Sequence, residues 1–189
     1  MPPAWLTVAL LLLTFLGEFR TWRDFAARKA PSAQDRGSLR LNNAMGLVSL
    51  AAGLATAFAL RGVAAVAVPP WLAWAGTAAS VAGTALRAWA VEVLGRWFSL
   101  TIQVRPGQPV IDTGPFRLVR HPSYLGGEVA LAGAGLAAGN WISPLAFWLP
   151  WLVAHVYRIR VEEDALRRTL GAPYEAYAAR TWRLLPPLW

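Results

Sequence analysis

The sequence predicts an all-α polytopic membrane protein with five transmembrane helices, a cytoplasmic linker and a C-terminal amphipathic helix. Three observations carry that prediction. Of 189 residues, 56% are hydrophobic and only 15% charged, against about 25% charged in a soluble domain. The apolar residues fall into long runs separated by polar stretches, and the basic residues concentrate in alternate connections. The mean hydropathy of +0.39 agrees.

A helix needs ~20 largely apolar residues to cross ~30 Å of hydrocarbon. The first run is residues 4–19, with Glu18 near its end. The opening Met1-Pro2-Pro3-Ala4-Trp5 lacks the basic start of a signal peptide, and no small-x-small cleavage site follows, so a retained anchor is expected. The second run, residues 44–68, stops at Pro69-Pro70, where neither proline can donate a backbone hydrogen bond. The third is residues 71–94. Residues 95–122 form a proline-rich polar linker, too polar to span. Residues 123–139 and 145–159 are the fourth and fifth runs, joined by the uncharged turn 140–144 as a tight helical hairpin. Residues 160–189 are charged and amphipathic. The chain is read as one integrated domain, with a three-span bundle in residues 1–95 and a linker, hairpin and C-terminal helix in residues 96–189.

The positive-inside rule sets the orientation. Arg20, Arg23, Arg28, Lys29, Arg36 and Arg40 crowd the first loop; Arg96, Arg105, Arg117 and Arg120 lie in the linker. Six more arginines follow from Arg158 onward, and the 140–144 turn has none. The first loop, the linker and the C-terminus are therefore cytoplasmic and the N-terminus outside. Trp5, Trp22, Trp71, Trp97, Trp141, Trp151 and Trp182 fall near the ends of the runs, where an aromatic belt is expected. The net charge of +8 belongs to these water-facing ends rather than to a nucleic-acid surface. The arginine- and alanine-rich composition, with a single lysine, fits a high-GC bacterium.

With no cysteine, disulfides, thiolate metal sites and cysteine nucleophiles are excluded. His121 and His155 are too distant in sequence to suggest a metal site. Two segments carry candidate chemistry. In the first, residues 114–126, polar, aromatic and basic groups converge where the linker enters the fourth run. Pro122 disfavours helical geometry at His121, so a helix is expected to start there. Its N-terminus suits a carboxylate or phosphate. The second is Tyr157-Arg158-Ile159-Arg160-Val161-Glu162-Glu163-Asp164, where Arg158 and Glu162 share one helical face. Among charges inside the runs, Arg87 and Glu92 are read as a structural pair. Glu128 is a candidate substrate-binding residue, and His155 is assigned an interhelical hydrogen bond.

Taken together, Arg120-His121-Pro122-x-Tyr124-x-Gly126, the Gly139-Asn140 turn, Arg158-x-x-x-Glu162-Glu163 and Gly171-x-x-Tyr174-x-x-Tyr177 resemble the isoprenylcysteine carboxyl methyltransferase family. Asp35-Arg36-Gly37-Ser38, Arg87-x-Trp89 and Leu94-Gly95 resemble it more thinly. The resemblance implies S-adenosylmethionine as methyl donor at the cytosolic face. Its binding set, carried over by position, is Gln103, Gln108, Val110, Ile111, Phe116, His121, Pro122, Ser123, Tyr124 and Glu162. Arg158 and Glu162 are the implied catalytic pair, with Arg158 facing a lipophilic or prenylated acceptor. The family commonly has histidine at Gln108 and tyrosine at Phe116. A carboxylate acceptor needs no general base, since it is ionised at neutral pH; a thiol or amine would need one, and the sequence dedicates none. The alternatives are a phospholipid or small-thiol methyltransferase, a sterol-reductase-like enzyme and a non-catalytic membrane subunit.

Overall fold

A computed structural model describes residues 33–105, 107–187 and 189, together with Leu6, Ala9 and Leu10. Apart from those three residues, the first apolar run lies outside the described residues, as do Trp5, Trp22 and the first loop up to residue 32. The described chain is all-helical, with two isolated β-bridges and no strand.

Helix α1 is Ser38–Ala59. It starts six residues before the expected run because Asp35 organises its first turn. The carboxylate accepts the Ser38 hydroxyl at 2.9 Å and the Leu39 N–H at 3.0 Å, satisfying donors that a helix N-terminus otherwise leaves unmet. It also ends before the expected Val68. Gly62 adopts φ +78°, and residues 66–68 pair instead with the turn on the other side of the bundle. Val68 N–H donates to Gly139 O at 3.1 Å and Trp141 N–H to Val66 O at 3.0 Å.

Helix α2, Pro70–Leu94, begins with proline at the position where a missing N–H costs nothing. Helix α3 is Pro122–Ala137. The turn after it is capped by Asn140, whose Oδ1 accepts the Ile142 and Ser143 N–H groups at 3.1 and 2.8 Å. That turn closes the expected hairpin. Helix α4, Ile142–Leu170, departs most from expectation. Its 29 residues continue eleven past Ile159 without a break, a length of about 43 Å at ~1.5 Å per residue. Hydropathy marks where the apolar run ends, but buried Ile159, Val161 and Ala165 keep the helix packed beyond it. Gly171, at φ +61°, stops it. A short helix α5, Ala172–Ala178, follows.

The helices pack in the order α1, α4, α3, α2. The α2–α3 seam is glycine-lined. A Cβ on Gly83 would lie 2.5 Å from Ala130 N, and one on Gly133 2.5 Å from Ser80 N, so these backbones touch. At the α1–α3–α4 junction Leu131, Ala134 and Phe147 form a buried cluster against Leu50, Leu54 and Trp151. Outward, Leu47, Phe58, Trp71, Trp74, Val81, Leu145 and Val153 are exposed, an apolar surface far larger than single scattered residues would make. By length and composition, one helix among the described residues, Ser38–Ala59, is long and apolar enough to cross a membrane.

Candidate active site

Among the described residues the linker contains two short 3-10 turns, Gly95–Trp97 and Gly114–Arg117, so side chains must fix its path. Ile102 and Val104 bury themselves against Val161 and Ala165 on the far end of α4. Asp35 Oδ1 accepts the Ile102 N–H at 3.1 Å, and Gln34 Oε1 accepts the Val104 N–H at 2.8 Å. The C-terminal tail holds the other side. Arg120 N–H donates to Trp182 O at 2.8 Å and Trp182 N–H to Leu118 O at 2.9 Å. The Tyr177 hydroxyl donates to Phe116 O at 2.8 Å.

Between the linker, the start of α3 and the exit of α4 lies a cleft of about 910 Å³, part of it open to solvent. All ten residues that the motif assigns to the donor line it, and so does Arg158. His121 Nδ1 and Glu162 Oε2 are 3.8 Å apart within it. His121 is buried; its Nε2 stands 3.4 Å from Glu163 Oε1 and makes no hydrogen bond among the described residues. The aromatic walls Trp97, Phe98 and Tyr174 also line the cleft and were not foreseen. For Tyr174 a signal existed, in the Gly171-x-x-Tyr174-x-x-Tyr177 pattern.

The Arg158–Glu162 relation is not a direct helix-surface pair. The Tyr124 hydroxyl stands between them, accepting from Arg158 Nε at 2.9 Å and donating to Glu162 Oε2 at 2.7 Å. Arg158 Nη1 donates to Ser38 Oγ at 3.1 Å, and Nη2 to Leu100 O. Asp35 Oδ1 lies 3.6 Å from Nη1. Each guanidinium nitrogen therefore already has a protein partner, which fixes the buried Arg158 in place and leaves one further N–H on each of Nη1 and Nη2. Asp35 is a site residue that spacing alone could not place, because folding alone brings it to Arg158. Arg87 donates to Ser123 O at 3.1 Å and to Ser123 Oγ at 2.8 Å.

Glu128 is the one candidate that the structure leaves outside the cleft. It is buried and accepts or shares a proton with His155 Nδ1 at 2.6 Å, the interhelical bond expected of His155.

Behind the cleft, Glu163 is almost fully buried at 1% exposure. Arg120 Nε reaches it at 2.8 Å, Arg183 Nε at 3.0 Å and Arg167 Nη2 at 3.2 Å. Burial pushes its carboxyl up, but the His121 ring and the Arg183 and Arg120 guanidiniums more than offset this and hold it well below the ordinary carboxylate range. A carboxylate depressed on folding stabilises above its ordinary pKa, near 4.5, and that contribution is lost as pH falls toward the folded value. The thermal midpoint is therefore expected to fall as pH drops below about 4.5, and Glu163→Gln to flatten that fall. Thermal unfolding at stepped pH checks both.

Residues 75–168 match the sequence profile of the isoprenylcysteine carboxyl methyltransferase family. That region is 94 of the chain's 189 residues. A probable protein-S-isoprenylcysteine O-methyltransferase of Oryza sativa subsp. indica is 31% identical over 118 residues, covering 61% of this chain and 62% of the relative. Protein-S-isoprenylcysteine O-methyltransferase B of Arabidopsis thaliana is 30% identical over 112 residues, 58% of this chain and 57% of its own. The Dictyostelium discoideum protein-S-isoprenylcysteine O-methyltransferase is 30% identical over 116 residues, 60% of this chain and 48% of its own. These relatives are eukaryotic, and the chain spans about half to three-fifths of their length. The fold resembles that of a eukaryotic intramembrane Ras methyltransferase (isoprenylcysteine carboxyl methyltransferase), with a TM-score of 0.60 at 22% identity over 77% of this chain and 52% of that one. The cleft's α3 residues, its linker wall and its α4 residues except Leu170 fall inside the family-matched region.

Proposed function

We propose that the chain is an integral membrane methyltransferase that transfers a methyl group from S-adenosylmethionine to the carboxylate of an isoprenylcysteine-like acceptor. The observation that carries this reading is the common cleft. Residues drawn from the linker, the start of α3 and the exit of α4 converge there, with His121 and Glu162 3.8 Å apart. In this reading the apolar outer face meets lipid and the chain crosses the bilayer five times. The N-terminus lies outside, with the linker, the cleft and the C-terminus cytoplasmic.

The residues suit the donor's mixed chemistry. When bound, S-adenosylmethionine supplies an electrophilic methyl group on a sulfonium. Glu162, partly exposed and already oriented by the Tyr124 hydroxyl, matches the donor's ammonium. The first N–H groups of α3, beside the buried His121 ring whose Nε2 faces Glu163 at 3.4 Å, match its carboxylate. Phe116 and Tyr124 offer aromatic surface. Gln108 retains hydrogen bonding where the family commonly has histidine. Arg158, locked by Tyr124, Ser38 and Leu100, places a fixed positive charge where the acceptor carboxylate must approach. A carboxylate needs no deprotonation, so the chain's task is alignment and exclusion of water. Such alignment can supply about 7–11 kcal/mol.

The acceptor class is tested by the product. Incubating the purified chain in phosphatidylcholine vesicles with methyl-labelled donor and S-farnesylated N-acetylcysteine is expected to give a base-labile methyl ester. Label that resists base, as in a methyl thioether or amine, would contradict the reading.

A further inference from the structure

A second cavity, of about 370 Å³ including space open to solvent, adjoins the donor cleft and shares Phe98, Ser99, Ser123, Tyr124 and Arg158 with it as a common wall. On its other side stand His155 and Trp151 of α4 and Asn42 of α1. The position of His155 is specific. Its ring lies 4.6 Å from that of Tyr124, centroid to centroid, and Trp151 meets it edge-on at 5.3 Å. Its Nδ1 is held at 2.6 Å by Glu128, and both residues are almost wholly buried, at 3% and 4% exposure.

We infer that His155, oriented by Glu128, is a specificity-determining residue that donates Nε2–H to an anionic acceptor head in this second cavity. The inference rests on the donor cleft and carboxylate acceptor proposed above. Three steps lead to it. Three of the five N–H donors of Arg158 are already committed to Tyr124, Ser38 and Leu100, so the two that are left cannot serve every lone pair of an acceptor carboxylate, and an unmet buried acceptor is costly. The Nδ1 of His155 is spoken for by Glu128, which leaves Nε2 as the nitrogen available to the cavity that the ring lines. A buried pair is held most cheaply with no net charge. The ion pair, and the neutral acid donating its Oε1–H to Nδ1, both put a hydrogen on Nε2. The groups that face His155 are Glu128, Arg87, Arg158, Tyr124 and His121, and the arginines among them add to the attraction for an anion. Glu128 is thus a positioning residue that acts through His155, which reassigns the role expected of it from sequence.

The test compares wild type, His155→Phe and His155→Gln in phosphatidylcholine vesicles, using methyl-labelled S-adenosylmethionine and S-farnesylated N-acetylcysteine. Phenylalanine keeps the ring's bulk without a donor; glutamine restores an N–H at similar reach. For His155→Phe the acceptor KM is expected to rise about ten-fold or more, with donor Kd and saturating rate within about threefold of wild type; ten-fold corresponds to about 1.4 kcal/mol. For His155→Gln the acceptor KM should return to within about threefold of wild type. An unchanged acceptor KM in His155→Phe, or a His155→Gln no better than His155→Phe, overturns the inference. If His155→Phe loses donor binding through misfolding, the comparison of His155→Gln with wild type decides: an acceptor KM more than about threefold above wild type overturns the inference. Failure of the underlying reading shows in wild type alone, as absent donor binding or absent ester, and removes the inference with it.

Discussion

Replacing Glu162 with alanine is expected to weaken S-adenosylmethionine binding by at least ten-fold. The carboxylate is partly exposed within the cleft, 3.8 Å from His121, and its Oε2 is steered by the Tyr124 hydroxyl at 2.7 Å. It is therefore preorganised for a cation and needs little rearrangement to receive one. Hydrogen bonds to charged groups contribute about 1.5–3 kcal/mol, which converts to roughly ten- to 150-fold in affinity. Equilibrium titration with labelled donor reads the change directly. Glu162→Gln keeps the size and the hydrogen bond from Tyr124 but not the charge, so it is expected to bind nearly as weakly as alanine. A Glu162→Ala protein that saturates with donor as wild type does would remove Glu162 from the donor site.

Arg158→Ala should separate the two substrates. The guanidinium donates to Tyr124, Ser38 and Leu100 and lies 3.6 Å from Asp35, so it belongs to the wall between the cavities rather than to the donor's polar contacts. Donor Kd is expected to stay within a few-fold, while methyl transfer falls by about a hundred-fold or more, near 2.7 kcal/mol. Removal also strips Asp35 of its cation, and breaking a buried pair costs about 3–5 kcal/mol. A lower thermal midpoint should therefore accompany the loss of activity. Arg158→Lys keeps the charge without the three-way geometry and should rescue only a fraction of the rate. Parallel loss of donor binding and transfer, in a protein that still folds, would contradict this division of roles.

What could be read from the sequence follows from how local each signal is. Pro69-Pro70 places the start of α2, and the Gly139-Asn140 turn the break between α3 and α4, through local chemistry, whereas the end of α1 at Ala59, nine residues before Val68, was not legible. The cleft was legible because His121, Pro122 and Tyr124 open one helix and Arg158 and Glu162 share one face of another. Two short segments thus define its polar edge. The start of α1 was hidden because Asp35 reads as one more loop charge until its carboxylate is seen folding back on Ser38 and Leu39. The length of α4 was hidden for a related reason: charge density signals the end of lipid contact, not of a helix whose inner face stays packed. Glu163 adjoins Glu162 in sequence, yet it is the buried one of the two. Arg120, Arg167 and Arg183 reach it from the linker, α4 and the tail, a convergence that no single spacing encodes. His155 carried only the expectation of an interhelical bond, and its place on a second cavity emerges from the packing of five segments.

A structure of the chain with the donor's demethylated product, S-adenosylhomocysteine, bound is the most direct measurement of where the methyl donor sits. The account predicts the amino-acid end of that molecule between His121 and Glu162, its adenosine along Phe116 and the linker, and its sulfur facing the Tyr124–Arg158 wall. Density outside this cleft, or a bound molecule that makes no contact with Glu162, would contradict it.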